Sequence, residues 1–469
     1  MSTPINRRKF LSRTVQTTGV AFAMQSLIAR GALAASGNGR SRGRRCDGDY
    51  GDLQPTVSEN TGETLLALPD GFKYNVFGRT GAIMSDGKPT PGSHDGMATF
   101  ETNNSDDDDD HRDHDRRKNR KRLITLVRNH EITFSTPGAA LDPANAYDPT
   151  TGGGTTTLIV DAETRLPVRS FVSISGTHNN CAGGATPWGS WITCEENVGG
   201  LARGFSKPHG YAFEVSAKST GPVDAVPLKA MGRFVHEAIA VDPRTDIIYE
   251  TEDRNPQCGF YRFIPNRRNK PAEGGRLQML AIKDRPNFDT RTGVTPLEPL
   301  RVTWVDIGDP DPANAEADSL AVFKQGFAGG GAIFTRLEGA WFGDGSIFFT
   351  STNGGSAGLG QVWRYRPRGH SGGLLSLIFE SPGADFLDAP DNICVTPGGG
   401  LILCEDGDDE QFLRGLTQQG EIFNFALNVL NDSEFAGATF SPDGETLFVN
   451  IQTPGITLAI WGPWENGAL

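Results

Sequence analysis

Cysteine is scarce, with six residues in 469, at positions 46, 181, 194, 258, 394 and 404. That density excludes a disulfide scaffold, although Cys394 and Cys404 flank the turn Pro397-Gly398-Gly399-Gly400 evenly and could face each other across a hairpin, as thiols or as a disulfide. Basic charge is also in deficit. Lys and Arg total 44 against 57 Asp and Glu, a formal net charge of −13, so a cationic footprint for nucleic acid is lacking. Beyond the first 35 residues no apolar run approaches the ~20 residues of a spanning helix. No apolar stripe at helical spacing rivals the short alternating segments, and no Ser, Thr or Cys nucleophile stands out beside a paired His.

Glycine is abundant instead, 59 residues with 29 Pro, which predicts many tight turns between short strands. The N-terminus carries Arg7-Arg8-Lys9-Phe10-Leu11, a weakly apolar stretch from Val15 to Ala29, and Ala32-Leu33-Ala34. A twin-arginine pair, a short apolar segment and an A-x-A site predict a Tat export signal over residues 1–34, and hence a periplasmic or secreted protein. Residues 35–58, rich in Gly, Ser and Arg at first, read as a flexible leader. A single β-rich domain is expected over 59–469. It is interrupted at 102–122 by a charged insertion, Asp106 to Asp110 and then Arg116-Arg117-Lys118, that reads as a solvated loop.

Alternation picks out strands at Leu123–Arg128, Thr156–Val160, Ser190–Thr193, Ile247–Tyr249, Ser346–Thr350, Leu401–Cys404 and Thr446–Asn450. A strand–turn–strand pattern starting at Glu237, Glu338, Asp391 and Ala436 recurs with a period near 50 residues, the range of propeller blades. The fold class predicted is all-β, a β-propeller with six blades the expected count and the active site at one mouth of the central channel. A double β-sandwich would explain the strands but not the period.

The repeats end in acids. Asn129-His130-Glu131, Thr193-Cys194-Glu195-Glu196, Glu250-Thr251-Glu252-Asp253 and Cys404-Glu405-Asp406 all close a strand, while Glu237, Glu338 and Asp391 open the preceding strand of their hairpins. Hairpin geometry puts strand starts beside strand ends, so all of these acids fall at one mouth. A ring of carboxylates repels itself unless hard cations sit in it. Cys194, read as the thiolate among them, adds one soft donor and points to a redox-type ion such as iron.

The run Gly176-Thr177-His178-Asn179-Asn180-Cys181-Ala182-Gly183-Gly184, continuing through Trp188-Gly189-Ser190-Trp191-Ile192-Thr193-Cys194-Glu195-Glu196-Asn197, strongly resembles the central motif of the PhoX-type alkaline phosphatases. Arg233-Phe234-Val235-His236-Glu237, Arg336-Leu337-Glu338-Gly339, Pro390-Asp391-Asn392-Ile393 and Glu434-Phe435-Ala436-Gly437 follow in the same order. The resemblance covers residues 60–465. It implies a Tat-exported six-bladed propeller that hydrolyses phosphate monoesters, with Fe³⁺ and calcium as cofactors around a bridging oxo group. Attack on phosphorus would come from a metal-held oxo or hydroxide. It maps metal ligands onto Cys194, Glu195, Glu131, Glu237, Glu252 and Glu405, to which the strand pattern adds Glu338. Arg336 matches the family's phosphate-binding arginine, and Asn180 a polar contact to substrate. Two departures are a chain shorter than the large members and Leu337 where Pro is expected.

His130, His178 and His236 lie in these motifs, each either a proton donor to the leaving group or a structural hydrogen-bonding residue. The implied partners are a small phosphate ester and the Tat machinery, with no nucleic acid and no stable membrane insertion, and a monomer is expected. Two other classes fit the acid ring: a calcium-dependent propeller lactonase or arylesterase, and a non-catalytic calcium-stabilised binding propeller.

Overall fold

The turn-rich, alternating sequence forms 26 short strands among the described residues, numbered here in chain order. The structure, a computed structural model, describes residues 48–102, 121–133 and 140–469. The export signal, most of the leader, Cys46 and the body of the charged insertion lie outside the described residues. β4 (His94–Glu101), β5 (Leu123–His130), β6 (Gly153–Asp161) and β7 (Leu166–Thr177) form the first antiparallel sheet, with the insertion between β4 and β5. β8 (Asn180–Ala185), β9 (Ser190–Glu195) and β10 (Ala212–Ser216) form the second.

The third and fourth are joined edge to edge into one nine-stranded sheet. Its halves are β11 (His236–Asp242), β12 (Ile247–Glu252), β13 (Phe260–Pro265), β14 (Gly275–Ile282) and β15 (Leu300–Asp306), then β16 (Leu337–Gly343), β17 (Ser346–Ser351), β18 (Gln361–Pro367) and β19 (Gly373–Glu380). The fifth holds β20 (Pro390–Val395), β21 (Leu401–Glu405), β22 (Phe412–Leu416) and β23 (Ile422–Asn428). It is extended by β2 (Leu66–Leu68) and β1 (Gln54–Thr56). The sixth is β24 (Phe435–Phe440), β25 (Leu447–Ile451), β26 (Ile456–Trp461) and β3 (Lys73–Phe77).

The first strands of these six units close a ring: β4 packs beside β8, then β11, β16, β20 and β24, which returns to β4. This is a β-propeller, and the expected six-fold repeat is visible in the pairing. It closes through β3, whose Phe77 pairs with Thr457 of β26. Residues 54–56, assigned to the leader by composition, instead pair with β2, and Gly48 accepts a hydrogen bond from Ala468 (2.9 Å). The start of the chain's described part is thus built into the fold.

Apolar faces fill the seams between blades. Cys394 and Cys404 are free thiols in one such cluster with Tyr74, Ile402, Phe425 and Leu458; Cys394 pairs with Ile402, so the two cysteines are not opposite each other. Trp191 and Trp363 are almost completely buried, and removing such a side chain costs about 3–5 kcal/mol. The one α-helix among the described residues is Ala321–Ala328, and no helix there is long and apolar enough to cross a membrane.

Candidate functional site

Each blade's first hairpin brings the start of one strand against the end of the next: His94 opposite His130, Asn180 opposite Glu195, His236 opposite Glu252, Leu337 opposite Ser351, Pro390 opposite Glu405, Phe435 opposite Ile451. One step further out, a single backbone hydrogen bond recurs in all six blades. Glu131, Glu196, Asp253, Thr352, Asp406 and Gln452 donate their N–H to the carbonyls of Ser93, Asn179, Val235, Arg336, Ala389 and Glu434, at 2.9–3.2 Å. These twelve residues form the rim of one mouth. Ser93, Asn179, Arg336 and Ala389 have φ of 47°, 54°, 38° and 49°. A left-handed non-glycine residue costs about 1–3 kcal/mol, and its repetition here turns the chain sharply into each inner strand.

Below the rim, each inner strand slips register against its partner within its first few residues, as between His94 and Met97 or Asn180 and Gly183. Such bulges re-aim side chains. Five residues lie inside them: Asp95, Cys181, Glu237, Glu338 and Asp391; the sixth strand offers Ala436 at the matching place. The inner strands are pressed together here. A Cβ on Gly96 would lie 2.7 Å from Ala182 Cα, and one on Gly339 2.8 Å from Asn392 Cα. Asn129 fixes the second bulge by donating to the Cys181 and Ala182 carbonyls (3.1 and 2.7 Å).

The five are buried and crowded. Burial, then Glu131 and Asp391, push the Asp95 carboxyl well above its usual range. Burial, then Glu338 and Asp391, do the same to Glu237; burial, then Asp406, push Asp391 up to about 7. Burial also raises the Cys181 thiol, with Asp95 and Glu237 adding to it. Neither carboxylate oxygen of Glu237 has a hydrogen-bond partner among the described residues, nor has Asn179 Oδ1. Three groups hold their donor atoms within 4.8 Å of one another: Glu131 with Cys181 and Glu196, Cys181 with Glu237 and Asp391, and Asp391 with Asp406 and Glu434. Cys181 and Asp391 are shared, so the groups form a continuous string.

Of the residues singled out in the sequence, Glu131, Glu237, Glu338 and Arg336 meet at this mouth. The others sit behind it. Cys194 is in an apolar seam with Ile192, Met231, Phe234 and Tyr261; the thiol among the acids is Cys181. Both oxygens of Glu195 are occupied, by the N–H groups of His178, Gly210 and Tyr211 and by His209 Nδ1. Glu252 accepts from Gly259 N and Tyr261 Oη, and Glu405 from Asp388 N, Phe412 N and Arg414 Nε. In each pair of adjacent acids the second member, Glu196, Asp253 or Asp406, belongs to the rim. Asn180 is bonded internally to Thr177 and Thr193, whereas Asn179 reaches Glu196 Oε2 (2.8 Å). Asp95 drew no attention in the sequence, and Glu434 stood in a family motif without being named as a ligand, since neither ends a recognisable strand. His130 bonds Gly92 O and Thr156 Oγ1, and His236 bonds Gly232 O, so their rings serve the scaffold.

Arg336 is the cation at the edge of this acid field. Its Nε donates to Asp253 Oδ1 (3.1 Å) and its Nη2 to Glu338 Oε1 (2.7 Å), engaging two of the five N–H donors of a guanidinium. Burial works against its charge, but Glu338, Asp253, Asp391 and Glu196 outweigh it. Its side chain stays 26% exposed, open to the mouth.

A search of curated proteins returns no match. Among solved structures, PhoX of Pseudomonas fluorescens in complex with vanadate aligns with a TM-score of 0.64 at 18% identity, over 90% of this chain and 98% of that one. A gluconolactonase of Xanthomonas campestris aligns with a TM-score of 0.43 at 12% identity, over 90% and 99%. The family model for alkaline phosphatase PhoX matches residues 50–455, nearly the whole described chain, and the protein therefore belongs to the PhoX alkaline phosphatase family.

Proposed function

We propose that this chain is a metal-dependent phosphatase that hydrolyses phosphate monoesters at the rim described above. The observation that carries the reading is a guanidinium with free donors, Arg336, set at the edge of a string of crowded acids, some buried and some half-buried. The donors suit cations: the unbonded oxygens of Glu237 and Asn179 Oδ1 are ligands in waiting. Hard carboxylates suit calcium, and the Cys181 thiolate suits iron, so a mixed set of Fe³⁺ and calcium is the pairing we expect. Glu131, Cys181, Glu196, Glu237, Asp391, Asp406 and Glu434 would hold them, with Glu338 and Asn179 alongside. Bound cations supply charge neutralisation for phosphoryl oxygens and lower the pKa of water.

The chain's own residues do the rest. Arg336 is held by Asp253 and Glu338 so that its remaining N–H groups face the opening. There they bind two phosphate oxygens in the planar geometry a guanidinium favours, and the contact strengthens as charge builds on the phosphoryl group. Gln452 Nε2 bridges Asp95 Oδ2 (3.0 Å) and Glu131 Oε2 (2.8 Å), keeping two acids of the funnel in register. Export through the Tat route to the periplasm or beyond belongs to the same reading, supported by the Arg7-Arg8 motif. Turnover of p-nitrophenyl phosphate by metal-replete protein, with elemental analysis of the same sample, tests the proposal. Absence of turnover on any phosphate monoester would overturn it.

A further inference from the structure

The acids that end the second strands do not face the funnel, yet one of them has both oxygens engaged in hydrogen bonds. Glu195 closes β9 and is completely buried, as are His209 and Asp148. Its Oε1 accepts from His178 N (2.9 Å) and His209 Nδ1 (2.6 Å), and its Oε2 from Gly210 N (2.8 Å) and Tyr211 N (3.2 Å). The far side of the imidazole, Nε2, faces Asp148 Oδ2 at 3.5 Å. Asp148 comes from the first blade and is fixed by Thr150 N and Oγ1 of that blade and by Ser206 N and Lys207 N of the second, at 2.7–3.0 Å. A carboxylate–imidazole–carboxylate chain therefore ties two blades together directly behind the mouth.

What hangs from it is the rim. His178, gripped by Glu195, immediately precedes Asn179, and Glu195 itself immediately precedes Glu196. Asn179 and Glu196 are then locked to each other twice, backbone to backbone (2.9 Å) and Nδ2 to Oε2 (2.8 Å). The fifth blade repeats the device: Glu405 accepts from Asp388 N (2.8 Å), the counterpart of His178, and from Arg414 Nε (2.7 Å), and the next residue is Asp406. The fourth blade has no such acid. Ser351 stands there, its hydroxyl donating to Thr335 O (2.5 Å), and the next residue is the neutral Thr352. The fold therefore does not need a glutamate at this position, and in these two blades the glutamate accompanies a rim acid.

We infer that Glu195, His209 and Asp148 form a positioning assembly that aims Asn179 and Glu196 at the bound cations, and through them sets cation retention. This rests on the metal-dependent reading above. Loss of partners that orient ligands typically costs 10–100-fold in metal affinity.

The test follows cation retention under a graded chelator challenge, by elemental analysis, in the full chain, together with kcat, KM and thermal melting. Glu195→Ala and His209→Gln should each release cations at chelator concentrations about 10–100-fold lower than wild type. Glu195→Gln, which keeps one acceptor oxygen, should recover part of that loss. Ile192→Val, in the same strand but facing the apolar seam, should lower the melting temperature without moving retention. If Glu195→Ala does not fold, Glu195→Gln and His209→Gln carry the comparison. Folded variants that retain cations as wild type does would overturn the positioning role, as would an equal loss of retention in Ile192→Val. A wild-type protein that binds no cation would instead overturn the metal-dependent reading itself.

Discussion

The second and fourth blades share one backbone plan and differ in chemistry. Both turn into the inner strand through a left-handed residue, Asn179 and Arg336, and both join it to the end of the second strand by the same 2.9 Å hydrogen bond. In the second blade that bond places Glu196 on the rim; in the fourth it places Thr352. The second blade contributes Cys181 to the bulge and belongs to the string of cation-type donors, while the fourth contributes Arg336 and no second-strand acid. Register and bulge set where side chains point, and the residue chosen then decides whether that sector receives a cation or an anion. The mouth is divided by role: acids from all six blades are its cation-type donors, and Arg336, held between Glu338 of its own blade and Asp253 of the third, is its anion-type donor.

Erasing the acid side altogether should have the largest effect. Stripping cations with a strong chelator should abolish phosphatase activity, and re-addition of iron and calcium should restore it; activity that survives a verified metal-free state would break the division. Next is the anion side. Arg336→Ala should keep its cations and lose about 10²–10³ in kcat, the scale of one transition-state donor. Unchanged steady-state kinetics would remove Arg336 from the reaction. Two cysteines sharpen the boundary between funnel and seam. Cys181→Ser should lower iron content with little change in melting. Cys194→Ser should keep iron and lose about 1–3 kcal/mol of stability, because a hydroxyl is placed among apolar neighbours.

A smaller effect comes from making the fourth blade resemble the second. Thr352→Glu adds a rim acid beside Arg336. One like charge at ~4 Å in water-like surroundings is worth about 1 kcal/mol, so KM for a phosphate ester should rise about fivefold. Last is a pH effect on cation-free protein. Burial pushes Asp391 and Glu252 up to about 7, above their unfolded values near 4. The folded state then binds protons more tightly. The stability these groups contribute is present below about pH 4 and is lost as pH rises through about 7. Chelated protein should melt at a lower temperature at pH 8 than at pH 5. A rise with pH would contradict the crowding of acids.

The propeller was legible because its period, its turn glycines and its hairpins are written locally. The mouth was legible too, because a hairpin must bring Glu237 and Glu405 to the same end whatever the details. What the sequence could not disclose was parity. Glu195-Glu196, Glu252-Asp253 and Glu405-Asp406 each offer two acids on opposite faces, and a shift of one residue exchanges scaffold for rim. The register of the folded hairpins selects the second of each pair. The same ambiguity separates Asn179 from Asn180. Cys181 and Cys194 lie in one motif, and only the bulge after Asn180 turns the first toward the funnel while strand alternation turns the second into the seam. A bulge has no residue signature as plain as a turn glycine.

The closure of the ring by β3 carries a consequence for the order of assembly. Asp95, near the beginning of the domain, has its carbonyl held by Asn450 Nδ2 (2.7 Å) and its carboxylate by Gln452, both from the last blade to leave the ribosome. β3, one of the four strands of the sixth sheet, must wait unpaired until residues 456–461 can pair with 73–77. The funnel therefore cannot mature one blade at a time. Cations can be taken up with native affinity only after the sixth blade has been made, and loss of its strands would disable acids encoded more than three hundred residues earlier.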